Sequence, residues 1–189
     1  MLGGVRRESD VRLAKVGLIV SLVTASVQSS QPACAEVIPE DIVAMIKSSS
    51  DVDAYRVNAL AKLANLLVKV GLKEDEVKQV LNDAITDGIR PKRISKVLTA
   101  SLLISRLRKQ SFAESAASVR QAAMRGSQGI IDLDATFSFL TSHERQQILA
   151  LQAAGKEQEA EWYAWDLTLP GLEKRSQQRM IRTMTGAAP

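Results

Sequence analysis

The sequence predicts an all-α fold, and three observations predict it. Ala, Leu, Val, Ser, Gln, Lys and Arg dominate, with only three Phe, two Tyr and two Trp in 189 residues. This composition favours helices over sheets. Apolar positions recur at helical spacing through most of the chain, and no segment alternates apolar and polar residues for long enough to argue a strand. Gly, Pro and capping residues cut the rest into pieces of helix length.

Each boundary has a local cause. Pro39 suits the first position of a short helix through Lys47, with Glu40 and Asp41 at its positive end. Ser50 fits the N-cap of a helix from Asp51 to Val70, whose stripe is Val57, Leu60, Leu63, Ala64 and Leu67, and Gly71 supplies a left-handed exit. Val77, Val80, Leu81, Ala84 and Ile85 form the stripe of the next helix, closed by Gly88 before Pro91 opens another through Lys109. Ser111 and Glu114 stand at capping-box spacing ahead of a helix with Ala113, Ala116, Ala117 and Ala123 as a small-residue face. The segment from Gly126 to Ile131 reads as the longest loop, followed by a short helix starting at Asp132 or Asp134. Thr141 and Glu144 form a second capping-box pair, opening a helix that ends at Gly155. Pro170-Gly171 divides what remains into a helix from Lys156 to Leu169 and another from Leu172 to about Met184.

The N-terminal 35 residues read as an address. Val16 to Gln28 carry no charge, follow Arg6, Arg7, Arg12 and Lys15, and precede Ala33-Cys34-Ala35. This is the three-part layout of a cleavable signal peptide, with Ala33 and Ala35 as the small residues before the cut. The domain organisation expected is therefore a signal peptide over 1–35 and one all-α domain over 36–189. Arg6-Arg7 also resembles a twin-arginine signal, and Cys34 a lipoprotein acceptor, although Gln31 and Pro32 depart from the residues usual before such a cysteine. The expected location is exported and periplasmic, with the thylakoid lumen or another organelle as the alternative. Loss of the leader removes the single Cys, leaving no thiol for disulfides or metal. It also takes four cations against two acids, lowering the net charge from +4 to +2. That is a weak excess for a protein gripping nucleic acid by its phosphates.

Three turns, near Gly71, Gln110 and Gly155, lie about 40 residues apart, the range of helical-hairpin arrays. The stretch Leu67-Val68-Lys69-Val70-Gly71-Leu72-Lys73-Glu74-Asp75-Glu76-Val77, onward to Asp87-Gly88-Ile89-Arg90-Pro91, resembles a pentatricopeptide repeat. Ala153-Ala154-Gly155-Lys156-Glu157-Gln158-Glu159-Ala160 resembles the turn of a tetratricopeptide repeat. The resemblance covers about half the chain and implies a TPR-like array of paired helices that binds a protein, or an organellar RNA-binding array. The middle unit lacks the turn glycine, so an irregular helical bundle stays open beside it.

No residues converge on a reaction. His143 is the single histidine, in a first helical turn, and Gly126-Ser127-Gln128-Gly129 lacks the Lys and preceding strand of a phosphate loop. The expectation is a protein that is not an enzyme, with no catalytic residue, metal or cofactor and no small-molecule substrate. Two features suggest binding instead. Trp162, Trp165 and Leu169 project from one face of their helix, opposite Ala160, Tyr163, Ala164 and Leu167, and read as a partner-binding patch or as the second face of an inner helix. Arg175, Arg179 and Arg182 fall in a narrow arc of the last helix. The function these point to is a secreted scaffold or adaptor for a protein or peptide, with nucleic acid disfavoured. A membrane enters only through an uncleaved leader or the basic last helix. The alternatives are an accessory subunit of a membrane or lumenal complex and the RNA-binding reading.

Overall fold

The computed structural model describes residues 54–185, together with Ala44 and Ile46. The proposed leader, with Ala33 and Ala35, lies outside the described residues, as do the start of the Pro39 helix and the Ser50 cap. Among the described residues the chain is all-α, without strands, in seven helices. They are α1 (Ala54–Lys69), α2 (Glu74–Thr86), α3 (Pro91–Arg108), α4 (Phe112–Met124), α5 (Gly126–Phe137), α6 (Ser142–Ala153) and α7 (Glu157–Thr185).

The ends form where local chemistry places them. After α1, Gly71 takes a φ of +100° and the N–H of Leu72 donates to the carbonyl of Leu67 at 3.2 Å, an αL exit that spares carbonyls from burial without a donor. Glu74, Asp75 and Glu76 sit in the first turn of α2, against the positive end of its dipole. Pro91 opens α3, and Ser111–Glu114 and Thr141–Glu144 close as reciprocal capping boxes on α4 and α6.

Burial then assembles the helices. Val57, Leu60, Ala64 and Leu67 of α1 and Val77, Val80, Leu81 and Ala84 of α2 join Ile94, Val97, Leu98 and Ile104 of α3 in one core that also includes Ile46. α3 packs on α4, α4 on α5, and α7 returns to pack against α3, α5 and α6. Each helix is marginal alone and is held by its buried stripe.

Three expectations are corrected. The segment from Gly126 to Ile131 is not a loop but the start of α5: Gly126, at φ +62°, turns the chain directly from α4 into α5. The second N–H of α5 is capped from a distance, since Ser127 N and Oγ both donate to the Glu157 carboxylate, at 3.3 and 2.5 Å. Gly129 lies against the Ala122 backbone so closely that a Cβ would overlap its carbonyl. The small-residue face of α4 is displaced as well: Ala113 and Ala117 are exposed, whereas Ser115, Ala116, Ala122 and Ala123 are buried.

The largest correction is α7, one helix of 29 residues that runs through Pro170 and Gly171. Pro170 is exposed, so the Asp166 carbonyl it deprives of an i+4 donor lies on the watered side. Gly171 faces inward, where a Cβ would sit 2.7 Å from the carbonyl oxygen of Phe139. Local propensity reads a break there, and tertiary packing overrides it.

The corner between α5 and α6 hangs on Asp134, which is fully buried. One carboxylate oxygen accepts the backbone N–H groups of Phe139 and Leu140, at 2.8 and 2.7 Å, while the other accepts Arg145 Nε at 3.0 Å. Asp134→Ala leaves two buried N–H groups without an acceptor and strips Arg145 of its acid. Its expected cost is about 3–5 kcal/mol in urea denaturation.

Candidate functional site

The inner face of α7 changes character along its length. At about 100° per residue, Ala164, Trp165, Thr168 and Leu172 occupy the arc turned toward the other helices, and all four are buried. The same arc continues into Arg175, Arg179 and Arg182. Where α7 outruns its neighbours, the inner side therefore becomes arginine without changing direction, and every residue from 177 to 185 is exposed.

Opposite this stretch stand the C-terminal ends of α3 and α5. Together they enclose an open groove of about 330 Å³ lined by Leu107, Arg108, Thr136, Phe137, Arg175, Gln178, Arg179 and Arg182. Arg108 lies over the Phe137 ring, 4.6 Å from its centre, a cation–π contact that fixes the floor. The groove thus collects four guanidinium groups and no acid.

Pairing elsewhere makes that imbalance informative. Arg93 pairs with Glu161, Arg120 with Asp83 and Asp87, Arg125 with Asp132, and Arg145 with Asp134. Of the four groove arginines, none has a carboxylate within ion-pair distance among the described residues. The nearest acid along α7, Glu173, does not serve them. Burial pushes its carboxyl up from the ordinary range instead.

The aromatic residues separate. Trp165 is 2% exposed and belongs to the core, so the expected patch of Trp162, Trp165 and Leu169 does not form as one surface. Trp162, at 55%, stands in water, and Leu169 is half-buried against the core. The reason is angular: Trp165 lies about 60° round the helix from Trp162, enough to carry it into the core. Tyr163 is half-buried and hydrogen-bonds Gln147 on α6. His143 is exposed.

Sequence reasoning found the arginine stripe but missed Arg108, Phe137 and Thr136. They come from ends of other helices, and no spacing rule links positions 108, 137 and 175. A second cavity, of about 400 Å³, is lined by Asp87, Gly88, Ile89, Arg90, Arg93, Ala123 and Met124. It carries both signs of charge, and Arg93 is already paired. Among the described residues no cluster of His, Cys, Asp and Glu could hold a metal ion, and no helix is long and apolar enough to cross a membrane. No family model, curated protein or solved structure matches the chain.

Two outcomes are expected. Trp165→Ala costs about 3–5 kcal/mol of stability by chemical denaturation, whereas Trp162→Ala stays within about 0.5 kcal/mol of the parent. Because the folded state raises the Glu173 pKa, the folded chain binds more protons than the unfolded one in the window just above the ordinary Glu range. Stability contributed by this group falls as pH rises through that window, so Glu173→Gln raises the melting temperature at pH 7 and loses the advantage below pH 4.

Proposed function

We propose that the chain is an exported helical scaffold or adaptor that holds a protein partner in the groove between α7 and the ends of α3 and α5. The observation that carries this reading is the set of four unpaired arginines, Arg108, Arg175, Arg179 and Arg182, turned toward one concavity. A structural cation is ordinarily solvated or paired with an acid. These four line one concavity, where like charges repel one another until an anion arrives.

The wall opposite α7 is also fixed, by Asp134 behind Phe139 and by Arg108 on Phe137, so the groove is preorganised and little ordering entropy opposes binding. The return of α7 onto α3 favours a closed bundle over a strict repeat array, whose units touch only neighbours. The RNA-binding reading gains no support from the groove. Its one ring, Phe137, is 8% exposed and covered by Arg108, which leaves no platform on which a base can stack. An accessory subunit of a larger complex is the second reading. It is favoured by Trp162, Met180, Ile181 and Met184, each at least half exposed on the other side of α7.

Export and binding are tested together on protein recovered from its native compartment. Intact mass is expected to place the first residue at Glu36. Capture of a partner by the parent, and its loss in Arg175→Ala/Arg179→Ala with helicity and melting temperature unchanged, supports the adaptor. A soluble cytoplasmic species starting at Met1 overturns the export reading, and capture indifferent to both arginines overturns the groove.

A further inference from the structure

Resting on the adaptor reading, we propose that the groove accepts an acidic peptide segment of the partner, its carboxylates spaced as on one face of a helix. Three features converge on this occupant. The first is charge: the groove presents four guanidinium groups and no carboxylate, so it lacks the counter-ions that the segment supplies. Each guanidinium offers a planar fork that a carboxylate fills with two parallel hydrogen bonds.

The second is shape. The arginines point across the groove at the ends of α3 and α5, whereas Met180, Ile181 and Met184 lie on the opposite side of α7. A bilayer resting on the apolar side leaves the arginines facing away from its headgroups. One approaching the arginines meets the ends of α3 and α5, which flank the groove. The side chains of a peptide reach into the groove where a flat surface does not. Single-stranded nucleic acid would meet the same arginines, but it finds Phe137 already covered by Arg108.

The third is register. Arg175, Arg179 and Arg182 stand at i, i+4 and i+7, which places them about 6 Å and then 4.5 Å apart along the axis. Side chains on one face of an extended strand recur about every 6.7 Å and match only the first interval. Acidic residues at i, i+3 and i+7 of a helix lying antiparallel to α7 match both. Such a helix is about 10–12 Å wide, so it lies along the mouth and inserts its carboxylates. Gln178 and Thr136 are at hand for the carboxylate oxygens left free.

The test is fluorescence anisotropy of the full chain with a labelled Ala- and Gln-rich helical peptide carrying Glu at i, i+3 and i+7, beside the same peptide with Gln there. The Glu peptide is expected to bind at least about tenfold tighter, with salt weakening it. Arg179→Gln is expected to cost about tenfold and Arg179→Lys an intermediate amount, while Arg106→Gln, an exposed change outside the groove, leaves binding as it was. Circular dichroism of each variant verifies that the helices persist. Equal binding of both peptides, indifference to Arg179→Gln, or tighter retention of oligouridylate or phosphatidylserine vesicles than of the Glu peptide overturns the proposal. If a captured native partner depends on Arg175 and Arg179 while the two peptides bind alike, the adaptor stands and the acidic helix falls.

Discussion

The position of α7 depends on one close approach, the contact of Gly171 with Phe139. A Cβ at Gly171 would lie 2.7 Å from the Phe139 carbonyl oxygen and 3.1 Å from two carbons of its side chain, so only glycine lets the two backbones meet. Phe139 is in turn immobilised by Asp134, whose buried carboxylate accepts its N–H and that of Leu140. The chain of causes runs from a buried acid, through a rigid corner, to the axis of a long helix. Arg175 follows Gly171 by about one turn, and Phe137 precedes Phe139 by two residues. Both walls of the groove are therefore fixed by the same corner.

That dependence explains which parts of the fold were legible in the sequence. Glycine exits at 71, 88 and 155, the Pro91 start and both capping boxes are decided by residues within a few positions of each other, and they stand where local chemistry puts them. Gly129 and Pro170-Gly171 carry the same letters with different causes. Gly129 is needed so that α5 can approach the Ala122 backbone, and Gly171 so that α7 can approach Phe139. Pro170 is tolerated because it faces water. A glycine required by a distant backbone looks the same in sequence as one required by its own φ, and the distinction appears only in three dimensions.

The site was legible to a similar degree. Helical spacing placed Arg175, Arg179 and Arg182 on one arc, but it does not say which way the arc points, because the direction is set by whatever covers Ala164, Thr168 and Leu172. The same gap misplaced Trp165. Its 60° offset from Trp162 is small on a helical wheel and decisive at a packed interface, where it separates a core ring from an exposed one. Arg108 and Phe137 carried no signal at all, since their value lies in being opposite α7.

Net charge is also a poor guide to this groove. Along the earlier part of α7, acids answer the cations of α3: Glu161 meets Arg93, and Asp166 meets Lys96 at 2.5 Å. Beyond Leu172 that exchange stops. Glu173 is turned away, and no later residue of α7 up to Thr185 is acidic, while α3 contributes Arg108 from its own last turn. Helix C-termini attract cations through their dipoles, which accounts for one arginine per helix at about 0.3–1 kcal/mol each. It does not account for Arg175 and Arg179, more than a turn from the end on the inner side of α7, where like charges oppose one another. A modest overall excess of charge thus coexists with a strong local one, because the acids are spent upstream on holding α7 to α3.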